Sequence, residues 1–187
     1  MTSTTTTALP AGLTSGTWLI ETSHSSAAFA VRHAGISKAR GTLAITEGVL
    51  TIGEDLASTT VTATLDAASV DTKDAGRDGH LKSADFFDVE TYPRWTFAST
   101  SISPRGDEHV IAGDLTIRGV ARPVELVTEF NGAATDPFGA ARIGFSAKTE
   151  ISRKDFGLTW NAALETGGVL VSDTVKIALE IEAVAQA

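Results

Sequence analysis

The chain has 187 residues, with 15 Lys and Arg against 23 Asp and Glu, and its formal net charge at pH 7 is -8. This length fits one domain, and a content of 42% hydrophobic and 20% charged residues is typical of a folded globular chain. The acidic balance argues against a nucleic-acid-binding protein and against attachment to an anionic membrane, since both normally need a basic surface. The absence of cysteine excludes disulfides, thiolate metal sites and a cysteine nucleophile.

The first 16 residues form a Thr-rich segment with little apolar surface. Such a segment cannot offset the entropy cost of ordering, so we predict a disordered tail over residues 1–16 and one domain over residues 17–187. The segment lacks the cationic and long apolar regions of a secretory signal, and no stretch approaches the ~20 apolar residues that span a bilayer. We therefore expect no integral membrane segment and a cytoplasmic location.

From Trp18 onward, apolar and polar residues alternate with period two. Each predicted strand therefore has one apolar and one polar face, as in an antiparallel sheet that is wet on one side. Turn-forming groups such as residues 46–48 and 136–139 separate these runs by hairpin distances. Consecutive hairpins that join about eight strands favour an up-and-down antiparallel β-barrel, with a β-sandwich as the alternative.

One segment, residues 71–88, interrupts the alternation. Asp71 or Thr72 could cap a helix there, and Asp74 would lie in the first turn, where the helix dipole favours an acid. This helix would be weak alone and would need packing partners. Its apolar anchors are Leu81, Phe86 and Phe87. We predict a short helical lid over one end of the barrel.

Four separated motifs carry a resemblance to a known family. The first contains Trp18-x-Ile20, His24 and Phe29-x-Val31-x-His33. The others are residues 77–88 (RDGHLKSADFFD), residues 113–124 (GDLTIRGVARPV) and residues 153–160 (RKDFGLTW). In this order and over nearly the whole chain from Trp18 onward, they resemble the YceI-like (polyisoprenoid-binding) family.

The resemblance implies an extended lipocalin-like antiparallel barrel whose apolar channel takes an isoprenoid or similar amphiphile. Members of the family are thought to carry or store such lipids, so we expect binding, storage or transport and no enzyme activity. The expected ligand is an isoprenoid quinone, a polyprenyl phosphate or a fatty amide, and no other cofactor is expected. Because many barrels of this kind pair through their outer faces, a homodimer is one expected assembly.

Residues on the apolar faces are the candidate lining of the channel. Small residues such as Ala27, Ala63 and Ala147 recur among them and leave space that Leu would fill. At about 0.8 kcal/mol per buried CH₂, each five-carbon prenyl unit would contribute roughly 3–4 kcal/mol before ordering costs. The predicted ligand-binding residues are Phe29, Val31, Phe86, Phe87, Trp95, Phe97, Leu115, Ile117, Phe145, Phe156 and Trp160.

Polar residues beside the predicted lid and near strand ends are candidates for the mouth of the channel. The predicted head-group or rim residues are His24, His33, Arg77, Asp78, His80 and Arg153, with Lys154 as a further candidate. We expect hydrogen bonds from the histidines and from Arg77 and Asp78 to fix the lid to the barrel rim. His109 follows a turn, and we expect it to be exposed.

The histidines offer little support for catalysis or metal binding. If His24 and His33 lay on one extended strand, they would be roughly 30 Å apart and face opposite ways. His80 has no second histidine at a chelating offset. We therefore predict no metal site and no catalytic residue.

Two other functions remain open on sequence alone. An enzyme acting on a small hydrophobic substrate would use His24, His33 or His80, and a change of one of these to Ala would abolish turnover without unfolding the protein. No nucleophile elbow and no outstanding carboxylate pair supports this alternative. A protein-interaction module would have a barrel filled by its own side chains, so a continuous cavity would argue against it.

Overall fold

The computed structural model describes residues 7–187, which form nine antiparallel strands and one short α-helix. The strands are β1 (Gly16–Ile20), β2 (Ser26–His33), β3 (Ser37–Ile52), β4 (Thr60–Asp71), β5 (Arg94–Arg105), β6 (Glu108–Ile117), β7 (Val120–Thr135), β8 (Ala141–Ser152) and β9 (Val171–Ala185). Helix α1 (Ala75–Lys82) lies between β4 and β5. Within residues 7–187, no helix has the length and apolar character needed to cross a membrane.

The sheet closes into an up-and-down barrel of eight strand positions. Each strand from β2 to β9 pairs with the next one in the chain, and β9 pairs with β2 to close the ring. Strands β1 and β2 share one position between β3 and β9, where a 3-10 turn at Thr22–His24 separates them. The predicted antiparallel barrel with a short helical lid is confirmed, and the sandwich alternative is wrong because the sheet has no open edge at this junction.

Two clusters of buried side chains occupy the ends of the barrel. The lid-end cluster lies where β4 ends and β5 begins, and it consists of Val70, Phe86, Phe87, Ile117, Phe156 and Leu158. The opposite-end cluster lies near the β3–β4 connection, and it consists of Leu13, Trp18, Ile20, Ala27, Ile45, Leu50, Ile52, Ile143 and Ala183. The buried side chains are thus concentrated at the two ends of the barrel rather than in its middle.

The segment before β1 packs against the opposite end of the barrel. Leu13 is buried in the opposite-end cluster, and the Thr7 carbonyl accepts a hydrogen bond from the Leu56 N–H at 3.1 Å. The Trp18 Nε1–H donates to the Thr14 carbonyl at 3.3 Å. Of the disordered tail predicted over residues 1–16, residues 1–6 lie outside the described residues. Residues 7–16 differ from the prediction because one buried leucine anchors a segment whose average composition is polar.

Helix α1 begins one turn later than the sequence predicts. Asp74 is the capping residue, and its side chain accepts a hydrogen bond from the Arg77 N–H at 2.8 Å. The predicted caps Asp71 and Thr72 are wrong because both side chains have other partners. Asp71 accepts from the Lys73 N–H at 2.8 Å, and Thr72 is buried at the end of β4.

Arg142 on β8 joins three separate elements at the opposite end of the barrel. Its Nε–H donates to Asp136 Oδ2 at 2.8 Å, and its Nη1–H donates to Glu182 Oε1 at 2.5 Å. The same Nη1 bonds Glu21 in the break between β1 and β2. These hydrogen bonds from Arg142 lower the pKa values of Glu21 and Asp136. The cluster therefore ties the interrupted strand position to its neighbours.

We expect Arg142→Gln to lower the melting temperature at pH 7. Because the folded-state pKa values of Glu21 and Asp136 lie below their ordinary values of 4.5 and 3.8, the stabilisation is complete above those values and is lost as the pH falls through the lower folded values. Thermal melts followed by circular dichroism should show a difference from wild type that is largest at pH 7 and becomes smaller as the pH falls below ~4. Arg122→Gln is the control, since the Arg122 guanidinium bonds its neighbour Ala121. An equal difference at pH 7 and below pH ~4 would contradict this account.

Candidate ligand-binding cavity

A cavity of about 250 Å³ lies inside the barrel between the two end clusters. Every strand contributes to its wall, and on β9 the lining residues run from Val171 to Ile181. At about 3.3 Å per residue this is roughly 33 Å of strand, or roughly 25 Å along the axis of a barrel with the usual strand tilt. The cavity therefore has the length of a lipid chain rather than that of a small polar metabolite.

Hydrocarbon side chains make up nearly all of the cavity wall. The lining residues that carry a side-chain nitrogen or oxygen are Thr59, Trp95, His109, Thr128, Thr149 and Arg153. Thr59 and Thr128 use their hydroxyls to bond nearby backbone carbonyls. The cavity consequently favours a ligand that is apolar over most of its length.

The structure brings together most of the predicted ligand-binding residues. Those that line the cavity are Phe29, Val31, Phe86, Phe87, Trp95, Phe97, Leu115, Ile117 and Phe145. Phe156 is instead buried in the lid-end cluster, away from the cavity wall. Trp160 packs on the lid, with ring centroids 4.6 Å from His80 and 5.4 Å from Phe86. Neither Phe156 nor Trp160 lines the cavity, so their predicted contact with a ligand is not present in this structure.

Several residues that line the cavity were not predicted from the sequence. Pro10 and Leu13 line the cavity from a segment predicted to be disordered, and Leu56 does so from the β3–β4 connection. His109 is half-buried in the wall, so the expectation that it is exposed is wrong. The alternation along the strand could have predicted this position, because counting back in twos from Leu115 places residue 109 on the same inward face.

Two strand glycines make room for aromatic rings in the wall. A Cβ atom added to Gly41 would lie 2.5 Å from Phe29 Cζ, so the Phe29 ring rests directly on this backbone. A Cβ atom added to Gly113 would lie 2.6 Å from Phe97 Cε2 and 2.5 Å from the Ala98 carbonyl oxygen. The two rings thus occupy space beside the strand backbone that a larger residue at Gly41 or Gly113 would fill.

The lid is fastened to the end of β4 through Thr72. The Asp78 Oδ1 atom accepts hydrogen bonds from the Thr72 N–H at 2.8 Å and from the Thr72 hydroxyl at 2.6 Å. Arg77 donates from Nε to Thr72 Oγ1 at 2.8 Å and from Nη2 to the Thr72 carbonyl at 2.9 Å. Arg77 and Asp78 therefore direct their polar groups to the barrel rim, as the sequence analysis expects of them.

His80 makes contacts within the lid region and with the connection before β9. Its ring packs edge-on against Phe86 and Trp160, with centroid distances of 5.0 and 4.6 Å. Its Nε2 lies 2.9 Å from Asp85 Oδ2. Because Phe86 lines the cavity, the contact between the His80 and Phe86 rings connects His80 to the cavity wall.

Arg153 is a buried cation at the lid end of the cavity, with 3% of its surface exposed. Its guanidinium donates to the carbonyls of Ser172 at 2.9 Å, Leu158 at 2.6 Å, Trp160 at 2.9 Å and Val171 at 3.3 Å. Burial lowers its pKa below the ordinary value. Since these donors are committed to the loop before β9, Arg153 holds that loop and has little left to offer a ligand head group.

The predicted rim residues do not form one group. His24 lies at the break between β1 and β2, 3.5 Å from Glu21 and from Glu182, and this is far along the barrel from the lid. Its placement at the lid-end rim is therefore wrong, because the break turns its side chain toward the outer face of β9.

His33 ends β2 opposite Ser37, at the lid end. Glu21, His24 and Glu182 come close enough to share an ion, but the two carboxylates already bond Arg142.

We predict that Gly113→Ala lowers the free energy of unfolding by about 1–3 kcal/mol, as overpacking of a closely packed wall does. The added methyl group would displace the Phe97 ring toward the cavity. Gly144→Ala is the matched control, because a Cβ atom there would meet its nearest neighbour, Asn131 Cβ, at 3.8 Å. Urea denaturation of both variants measures the effect. Equal stability of the two variants would show that the ring does not rest on Gly113.

Comparison with known proteins identifies one family. Residues 18–183 match the model of the YceI-like domain. Protein YceI of Escherichia coli O157:H7 is 42% identical over 139 residues, which cover 74% of this chain and 73% of that protein. Protein YceI of Salmonella arizonae is 38% identical over 167 residues, which cover 89% of this chain and 84% of that protein.

Solved structures share the fold. The YceI protein of Campylobacter jejuni matches with a TM-score of 0.67 and 30% identity over 83% of this chain and 90% of that one. Burkholderia cenocepacia BcnA gives a TM-score of 0.73 at 22% identity, covering 87% and 98% of the two chains. A polyisoprenoid binding domain from Saccharophagus degradans gives 0.65 at 16% identity, covering 90% and 98%. The family model and the sequence relatives show that this chain belongs to the YceI-like family.

Proposed function

We propose that this protein binds one isoprenoid or similar long apolar chain inside the barrel and serves as its carrier or store. The observation that supports this most is the long cavity with an almost entirely hydrocarbon wall. The structural neighbour from Saccharophagus degradans is described as a polyisoprenoid binding domain, and its shared fold is in keeping with the proposal. Such binding needs no specific polar contact, because it rests on the removal of apolar surface from water.

The energetics of the cavity suit a chain of several prenyl units. Each unit contributes roughly 3–4 kcal/mol when buried, and association costs about 4–15 kcal/mol. One unit is therefore too few, whereas four units, at roughly 12–16 kcal/mol, exceed most of this range of costs. A wall with so few polar groups selects its ligand by length and shape more than by charge.

Trp95 adds one polar preference to this apolar wall. Among the buried side-chain nitrogen and oxygen atoms of residues 7–187, Trp95 Nε1 alone has no hydrogen-bond partner. An unpaired buried donor costs about 1–3 kcal/mol, and an acceptor on the ligand would remove this cost. We propose that a hydroxyl or carbonyl oxygen of the ligand accepts a hydrogen bond from Trp95.

The geometry gives less support to the other two functions. A protein-interaction module with a filled barrel is at odds with the open cavity. An enzyme that uses His24, His33 or His80 would need that side chain to reach a substrate in the cavity, and none of the three lines the cavity wall. They lie at the strand break, at the end of β2 and in the lid, respectively.

The binding of an isoprenoid chain can be tested with tritium-labelled phytanol offered in phosphatidylcholine vesicles. We expect wild-type protein to take up the alcohol to about one molecule per barrel. Ala63→Phe places a ring in the cavity wall and should reduce uptake about tenfold, because the ring takes up space that the ligand chain would occupy. Ala98→Phe, on the exposed outer face of the adjacent strand, should behave as wild type. No uptake by the wild type, or equal uptake by both variants, would contradict cavity binding.

The hydrogen bond to Trp95 predicts a difference between two ligands that share one carbon skeleton. Trp95→Phe should reduce the affinity for phytanol about fivefold more than the affinity for phytane, which has no acceptor. Partition of each labelled compound between vesicles and protein measures the two affinities. If both fall by the same factor, Trp95 contributes packing and not a hydrogen bond.

A further inference from the structure

The wall of the barrel is not continuous near the lid end. The ladder between β7 and β8 runs from Thr135 opposite Ala141 to Val127 opposite Lys148, and it stops there. Strand β7 nevertheless extends back to Val120 while paired with β6, and β8 extends to Ser152 while paired with β9. The two strands therefore diverge over their lid-end portions, with each held by its other neighbour.

A groove fills the place where the missing ladder would be. A continued ladder would join residues 123–125 of β7 to residues 150–152 of β8, and all six line this groove together with Arg122 and Thr149. We refer to these eight residues as the side slit. The slit is thus a local separation of two neighbouring strands and not an ordinary surface depression.

The side slit and the main cavity share part of their walls. Val124, Thr149 and Ile151 line both spaces, so the groove and the cavity meet at these side chains. The outer part of the groove is polar, with Arg122 and Glu125 on one side and Glu150 on the other. A path from solvent into the cavity would therefore begin among charged groups and end among hydrocarbon, which matches the two ends of an amphiphile.

Two residues at the slit are compatible with the separation of the strands. Pro123 has no N–H group to donate to a ladder, and prolines within sheets lie at unpaired edges. Phe156, which follows β8 and is 1% exposed, lines the groove while it belongs to the lid-end cluster. The Phe156 side chain is therefore part of the wall of the groove that separates the two strands.

The two ends of the barrel are poorer routes for a long chain. In residues 7–187, the lid end is covered by the lid-end cluster, whose members are at most 7% exposed. The opposite end is covered by Leu13, Leu56 and their neighbours in the opposite-end cluster. Passage through either end would expose several large apolar side chains to water, whereas passage through the slit breaks no β-ladder hydrogen bond.

We propose that the side slit is the entrance through which an amphiphile passes, tail first, into the cavity and through which it leaves. This inference rests on the proposed function, because it concerns the route to the same cavity. A route, unlike a binding contact, changes the rates of uptake and release together and leaves the equilibrium between them unchanged.

The absence of cysteine allows a site-specific block. Glu125→Cys places a thiol in the slit, and Glu129→Cys places one on the same strand and face, opposite Ser146, where β7 and β8 are paired. Both variants are coupled to the same bulky maleimide-polyethylene glycol, and each unlabelled variant serves as its own reference. Uptake of tritium-labelled phytanol from phosphatidylcholine vesicles and its release to empty vesicles are then followed in time.

We expect the label at residue 125 to slow uptake and release alike by about tenfold, with the final partition unchanged. The label at residue 129 should leave both rates as in the unlabelled variant. Unchanged rates with the residue 125 label, or a loss of affinity without a change in uptake rate, would overturn the entrance. If the unlabelled proteins take up no phytanol, the proposed function itself fails, and the entrance fails with it. If they take up phytanol but the label at residue 125 leaves the rates unchanged, only the entrance fails.

Discussion

The pairing of β2 with β9 is the constraint on which the rest of the structure depends. This ladder runs from Ser26 opposite Glu180 to His33 opposite Val171, and it closes the sheet on itself. Because side chains alternate along every strand, closure encloses all the apolar faces together. Eight strand positions leave an interior wide enough for side chains on opposite walls to stay apart, and a cavity results.

The charged groups of this protein serve the frame rather than the cavity. Arg142 ties strands together at one end, Arg77 and Asp78 fasten the lid to Thr72 at the other, and Arg153 holds the loop before β9. Each of these cations or anions has its partners within the protein, so none is left facing the apolar space without one. The interior can therefore stay almost free of polar groups without the penalty of an unpaired buried charge.

Closure creates a conflict between stability and access. A fully hydrogen-bonded barrel with covered ends would hold a lipid firmly but would admit it slowly. The separation of β7 from β8 is a local exception to closure, and Pro123, which has no N–H group to donate, lies in the separated part of β7. The stability of the remaining ladders does not depend on this stretch, since β7 stays paired with β6 and β8 with β9.

The period-two pattern was sufficient to predict an antiparallel sheet with one apolar face and the inward direction of side chains such as Phe29 and Phe97, because alternation is a local property of an extended backbone. It favoured a barrel over a sandwich only together with the consecutive hairpins. The interruption of this pattern at residues 71–88 predicted the lid with Phe86. Tertiary structure alone decided that Phe156 packs behind the wall and that Leu13 closes one end, since both depend on contacts between residues distant in sequence. It also decided where β7 and β8 separate, because a register between strands is set by their neighbours and not by either strand's own residues.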